Sequence, residues 1–222
     1  MTTEQTAAAE ESSKPVKGYR LLLPSQWSQI PLRQGTEEAV NRVLEDVYSR
    51  IPEDAPPDKI GPYKKEIAKR FRSSVAQAQH RNGLDLYVPV KPMGDQEFNL
   101  GASILVTETT LPERARGATY ADPTDLAAQL LSREGMNADL SSGDVDGAVA
   151  VRREYVADAD PNQGIEVASR RVEYIISIPG QAARWFIAAF STVGGGDPRD
   201  ELAEVLVEWF DAVMTTFRWR RG

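Results

Sequence analysis

The chain contains no cysteine. Disulfides, thiol nucleophiles, iron–sulfur clusters and zinc–thiolate sites are therefore excluded. It has a single histidine, His80, so a metal site that needs two imidazoles is excluded too. No run of about 18 apolar residues occurs, so no transmembrane helix is expected. No apolar stretch follows a basic start, so no signal peptide is expected and the cytoplasm is the expected compartment. A basic surplus is also missing. Lys and Arg number 26 against 33 Asp and Glu, a net charge of −7. That argues against nucleic acid as a partner, which needs a basic surface.

The 222 residues are 41% hydrophobic and 27% charged, the composition of a globular domain with a sizeable core. Residues 1–17 are rich in Thr, Ala, Glu, Ser and Lys and read as a disordered tail, leaving one domain over 18–222. Tyr19 to Leu23 and Trp27 to Leu32 read as two short strands joined by a turn at Pro24-Ser25. A helix is expected from Thr36, a plausible N-cap, to about Ile51, with Ala39, Val43 and Val47 on one stripe. Pro52 to Pro57 is a breaker-rich loop. A second helix from about Pro62 to Arg81 carries Tyr63, Ile67, Phe71, Val75 and Ala78 on its apolar side, and Asn82-Gly83 stops it.

Alternation from Leu84 to Val90 and the stretch Phe98 to Thr109 read as strands. Asp122-Pro123 opens a third helix with Leu126, Leu130 and Leu131 on one side. Met136 to Leu140 is a short strand or connector. A meander follows over Ala148 to Val156, Glu166 to Ile178 and Ala183 to Val193. The last helix carries Leu202, Leu206, Trp209, Phe210 and Val213, and Phe217 with Trp219 make a final short strand. The runs Tyr174 to Ile178 and Trp185 to Phe190 are apolar enough to be covered on both faces. The expected fold class is α+β: an antiparallel β-sheet covered by helices on both faces, an α/β/α sandwich.

Leu22-Leu23-Pro24 with Trp27, the meander, and the closing run Trp209-Phe210-Asp211-Ala212-Val213-Met214-Thr215-Thr216-Phe217-Arg218-Trp219 resemble the PsbP-like family. That family includes the photosystem II extrinsic protein PsbP and the Ran-binding nuclear import factor of yeast. The resemblance spans roughly 18–220, as topology plus two loose motifs. It implies a PsbP-like sandwich that serves as a non-catalytic adaptor or binding domain. The chain departs from the family's lipoproteins in having no lipobox cysteine, and from its plastid members in having no transit peptide. Its tandem helices over 36–81 are longer than the family's usual insertion, and no Ran-binding position carries over. The richness in Ala, Arg, Asp and Val has an actinobacterial look.

Several residues invite a chemical reading, and each has a plainer one. His80, near a helix C-terminus, suits a capping or charge role better than a general base. Asp158, Asp160, Asn162 and Gly164 suggest a calcium loop. Gln163 and Ser169 stand where the EF-hand pattern wants Gly and Glu, however, and these are ordinary turn residues. Gly194-Gly195-Gly196 lacks the Gly-Lys-Ser/Thr of a phosphate loop, and Asp197 with Pro198 reads as an N-cap and first helical residue. Glu37-Glu38 and Glu53-Asp54 are neighbours of the solvated kind. Trp27, Trp185, Trp209 and Trp219 read as core, with Trp27 or Trp219 the candidates for exposure.

No catalytic residue, metal or cofactor is assigned. The feature that stands out against a −7 chain is the basic face Lys64, Lys65, Lys69, Arg70 and Arg72. It suits a solvated helix face, or a docking surface for an acidic protein partner, with peripheral contact to an anionic membrane as a variant. The expected function is a non-catalytic cytoplasmic binding or adaptor protein. The alternatives are a small-ligand carrier, or a hydrolase-type enzyme using carboxylates from distant segments.

Overall fold

The structure, a computed structural model, describes residues 14–51, 56–91, 101–110, 138–160, 167–181 and 183–222. The chain divides into two compact units, Pro24–Glu108 and Met1–Leu23 with Thr109–Gly222.

In Pro24–Glu108, strands β2 (Trp27–Pro31), β3 (Gly83–Pro89) and β4 (Ala102–Thr110) pair antiparallel in that order. Helices α1 (Thr36–Tyr48) and α2 (Pro57–His80) connect β2 to β3. The helical spacing of Ala39, Val40, Val43 and Leu44 buries one side of α1, and α2 adds Val75 and Ala78. With Ile30, Leu32, Leu86 and Val90 they form an aliphatic core, closed at its margin by Ile67 and Phe71. Two details differ from expectation. Gly35, with φ 73°, takes the N-cap position of α1, and the Thr36 hydroxyl instead donates to the Pro31 carbonyl at 2.8 Å. Helix α2 begins before Pro62 and carries it internally, and Tyr63 is exposed rather than in the stripe. A strict four-residue repeat drifts by about 40° per step on a 3.6-residue helix, so Tyr63 has rotated about 120° away from Val75.

Asn82, in the left-handed region at φ 59°, ends α2 and its amide donates to the Glu108 carbonyl at 3.0 Å. Gly83 follows because nothing larger fits. A Cβ there would meet Leu32 at 2.3 Å and the Ala78 carbonyl oxygen at 2.7 Å.

The other unit holds a four-stranded antiparallel meander, β5 (Asp139–Val145), β6 (Ala148–Ala157), β7 (Ser169–Ser177) and β8 (Arg184–Thr192). Helix α3 (Glu201–Met214) follows, and the first and last strands, β1 (Val16–Arg20) and β9 (Arg218–Arg221), pair with each other. Strand β5, which begins where a short strand or connector was expected to end and runs five residues beyond it, is polar and exposed along most of its length, as an edge strand is. Its hairpin turn is Asp146-Gly147, both with positive φ, and the Asp144 carboxylate accepts the Gly147 N–H at 2.8 Å.

The expected opening hairpin does not form. Strand β1 pairs with β9, and β2 pairs with β3. The reason is aromatic: the Tyr19 ring lies 4.8 Å from Phe186 and 6.1 Å from Phe217, so β1 belongs with the C-terminal aromatics.

The α/β/α sandwich is also overturned. The described residues hold nine strands and three helices, a fold dominated by β structure. Within the meander unit, α3 lies on one face: Phe210 stacks on Phe190 at 5.0 Å, and Asp211 accepts from Arg152 and Tyr174. No second helix covers the other face among the described residues of this unit. That face buries Val151 and Trp185, then turns polar: Arg153 donates to Glu173 at 2.7 Å and Tyr155 donates to the same carboxylate at 2.9 Å. The apolar runs that suggested two covered faces are interleaved with this ladder, which closes on itself by pairing across strands. The proposed third helix, with Leu126, Leu130 and Leu131, lies outside the described residues, as do Phe98, Met136 and Glu166.

Candidate functional site

The basic face of α2 is built by helical geometry and then divided by its neighbours. Lys64 falls on the side turned to α1, where its ammonium sits 5.0 Å from the centre of the Tyr48 ring, and the Tyr48 hydroxyl donates to the Lys64 carbonyl at 2.9 Å. Arg70 donates to Glu66 one turn back at 2.7 Å. That contact holds the exposed Glu66 carboxyl below its usual range. Arg72 donates to the Asn41 side chain on α1 at 2.9 Å and lies 3.9 Å from Glu37. Lys65 and Lys69 are exposed and make no hydrogen bond or ion pair among the described residues. Lys65, Lys69 and Arg72 fall within about 60° of the helix circumference. Of the five basic residues singled out from sequence, Lys64 and Arg72 thus meet α1, Arg70 pairs within its own helix, and Lys65 and Lys69 are left to solvent.

A second concentration of charge lies under α3, where spacing along the sequence gives no sign of it. Arg152 on β6 reaches Asp211 on α3 at 2.8 Å and Glu154 on its own strand at 2.7 Å. Arg170 on β7 closes on the other oxygen of Glu154. Burial raises the Glu154 carboxyl, but the two arginines outweigh it and hold the group below its usual value of 4.5. Burial works against the Arg152 charge too, and the two carboxylates more than restore it, so its protonation is strengthened. The Tyr174 hydroxyl is pushed up by burial and by its donation to Asp211 at 2.8 Å. Every polar group in this network is engaged with another, and together they pin α3 to the sheet.

The remaining readings resolve simply. The N-cap of α3 is Asp200, not Asp197. Its carboxylate accepts the Ala203 and Gly195 N–H groups, both at 2.7 Å, which hold its pKa low. It thus fills the place at the glycine run where a phosphate would sit. Asp197 instead accepts the Arg199 N–H at 2.9 Å. His80 is exposed in the last turn of α2. Asp158 is exposed and Asp160 half-buried, while Asn162, Gln163 and Gly164 lie outside the described residues, as do Glu53 and Asp54. No group of three potential metal-ligating side chains occurs among the described residues. Trp27, Trp185 and Trp219 are buried, and Trp209 is the half-exposed one.

Asp146 escaped notice in the sequence. It accepts the Trp219 backbone N–H at 2.8 Å and lies near Arg218 and Arg221 at 3.8 and 3.9 Å. The Asp-Gly pair flanked by strand-like runs was the signal that would have found it. Two open grooves accompany these features. One, of about 460 Å³, runs along α1 and β2 and is lined by Trp27, Gln29, Arg42, Glu45 and Asp46. The other, of about 510 Å³, lies on the β1–β9 ribbon. No helix among the described residues is long and apolar enough to cross a membrane.

No family model matches the chain, and no curated protein matches it. Among solved structures, LpqN of Mycobacterium tuberculosis, described as involved in cell envelope biogenesis, is similar over 92% of this chain and 85% of its own. The identity is 11% and the TM-score 0.45, and a likeness at that level assigns no family.

Proposed function

We propose that the chain is a non-catalytic cytoplasmic binding or adaptor protein that docks an acidic protein partner on the outer face of α2. The observation that carries the reading is the division of the basic face. Lys65 and Lys69 stand exposed and unpaired among the described residues, in a protein with acids to spare. Such a local patch steers and orients an acidic partner. The carboxyls with resolved shifts, Glu66, Glu154 and Asp200, are all held ionised by arginines or backbone N–H groups. That suits a frame rather than general acid chemistry. The space between α1, α2 and the strands of their unit is filled by ten buried side chains, which speaks for a packed core over an internal ligand cavity.

The test is a charge reversal, Lys65→Glu with Lys69→Glu, leaving the structural Lys64, Arg70 and Arg72 in place. Co-purification of the endogenous partner with tagged protein should fall at least about tenfold, as for loss of two complementary charges at an interface. Unchanged recovery refutes the α2 surface. Loss of binding to anionic vesicles with protein recovery intact would instead make the face a membrane contact.

A further inference from the structure

The β1–β9 ribbon places three arginines on one face. In its antiparallel register Arg20 stands directly opposite Arg218, Gly18 opposite Arg220, and Tyr19 opposite Trp219. Alternation along the strands sends Tyr19 and Trp219 inward, where they pack on Phe186 at 4.8 and 5.5 Å. Arg20, Arg218 and Arg220 are left on the outer face, all exposed. Like charges directly opposite each other across a strand pair are unfavourable. Among the described residues, Asp146 relieves it only on the Arg218 side. Arg20 and Arg220 have no hydrogen bond or ion pair among the described residues. Arg218 is held in place by donating to the Thr215 carbonyl at 2.9 Å and to the Phe217 carbonyl, and it pairs with Asp146 at 3.8 Å.

The arginines rim a concave site rather than a flat patch. Arg20, Leu22, Thr215, Thr216, Arg218, Trp219 and Arg220 line the groove of about 510 Å³, within the range of small-ligand sites. Arg220 lies across Gly18, where a Cβ would come 2.9 Å from its guanidinium, so the missing side chain makes its room. Leu22 is 53% exposed beside it. From three arginines on one face of a concave groove and an exposed leucine within it, we infer that this groove binds a small organic phosphate, its phosphoryl group on Arg20, Arg218 and Arg220 and its carbon skeleton against Leu22. A phosphomonoester brings nearly two charges and three strong acceptor oxygens, which matches three arginines better than one carboxylate does. A concave site with one exposed leucine suits a soluble ligand over a bilayer surface, which needs a broad apolar face.

The site lies in a different unit from α2, and its test is independent of that reading. Calorimetric titration of the full chain with phenyl phosphate should show saturable binding, with inorganic phosphate weaker for want of the apolar contact. Arg20→Gln with Arg220→Gln should weaken phenyl phosphate binding at least about tenfold. The same double variant, without ligand, should melt no lower than the wild type, because it removes a like-charge opposition and no structural bond. That keeps the comparison meaningful. Lys65→Glu with Lys69→Glu should leave the titration unchanged. The inference is overturned if phenyl phosphate does not bind, if the arginine variant binds it equally well, or if only vesicles containing phosphatidate bind.

Discussion

The unit Pro24–Glu108 and the unit that contains both chain ends are held together by different means. The first has an aliphatic core, Ile30, Leu32, Val40, Val43, Leu44 and Val75 among it, supplied largely by two helices consecutive in sequence. The second relies on aromatics gathered from afar: Tyr19, Phe186, Phe217 and Trp219 form one cluster and Phe190 with Phe210 another. It adds a charged network between strands and helix. Aliphatic side chains pack without preferred direction, while rings and guanidinium–carboxylate pairs have set geometries. The second unit is therefore the more sensitive to a single misplaced group, and it is where the candidate ligand groove lies.

That contrast is open to direct attack. Phe210, with no exposure, stacks on Phe190, and Phe210→Ala should cost about 3–5 kcal/mol. Leu44→Ala in the aliphatic core should cost less, about 2–3 kcal/mol. Urea denaturation measures both, and a larger loss at Leu44 would erase the distinction.

Glu154→Gln comes next. It leaves Arg152 and Arg170 each short of a charged acceptor and should cost about 1–3 kcal/mol at neutral pH. The folded protein holds Glu154 below its ordinary 4.5, so its contribution is fully present above that value and is lost as pH falls through the lower folded value. The urea midpoint of the wild type should drop between about pH 5 and 3 more steeply than that of Glu154→Gln. Equal slopes would show that Glu154 is not coupled to folding. At the small end, Glu66→Gln removes an exposed one-turn pair with Arg70, and its midpoint should match the wild type within error.

Much of the helix content was legible because a helix writes its buried face into local spacing. The stripe of α1 and the stop at Asn82-Gly83 are where the sequence places them; on α3 Leu206, Phe210 and Val213 are buried as expected, but Leu202 is exposed and Ala203 and Val207 take its side of the core. The strands β6 to β8 were legible for the same local reason. Strand β5 was not, because a polar edge strand has no apolar alternation to read. Pairing of β1 was misread because Pro24-Ser25 looks like a turn between neighbours. The actual partner lies at the other end of the chain, where Leu22 donates to Thr216 across 194 positions. The basic residues of α2 were legible as a group. Their division into Lys64 and Arg72, which meet α1, Arg70, which pairs with Glu66 on its own helix, and Lys65 and Lys69, which face water, depends on where Tyr48, Asn41 and Glu66 stand.

By itself the sequence determined that chemistry needing cysteine or a pair of histidines is closed to this chain, and it marked most of the buried positions of the helices, because composition and local periodicity are properties of the chain alone. Only the tertiary structure decided that, among the described residues of its unit, a single helix lies on the meander, and that Arg20 meets Arg218. Strand register joins residues far apart, and no short-range pattern reports which of many possible partners a strand will find.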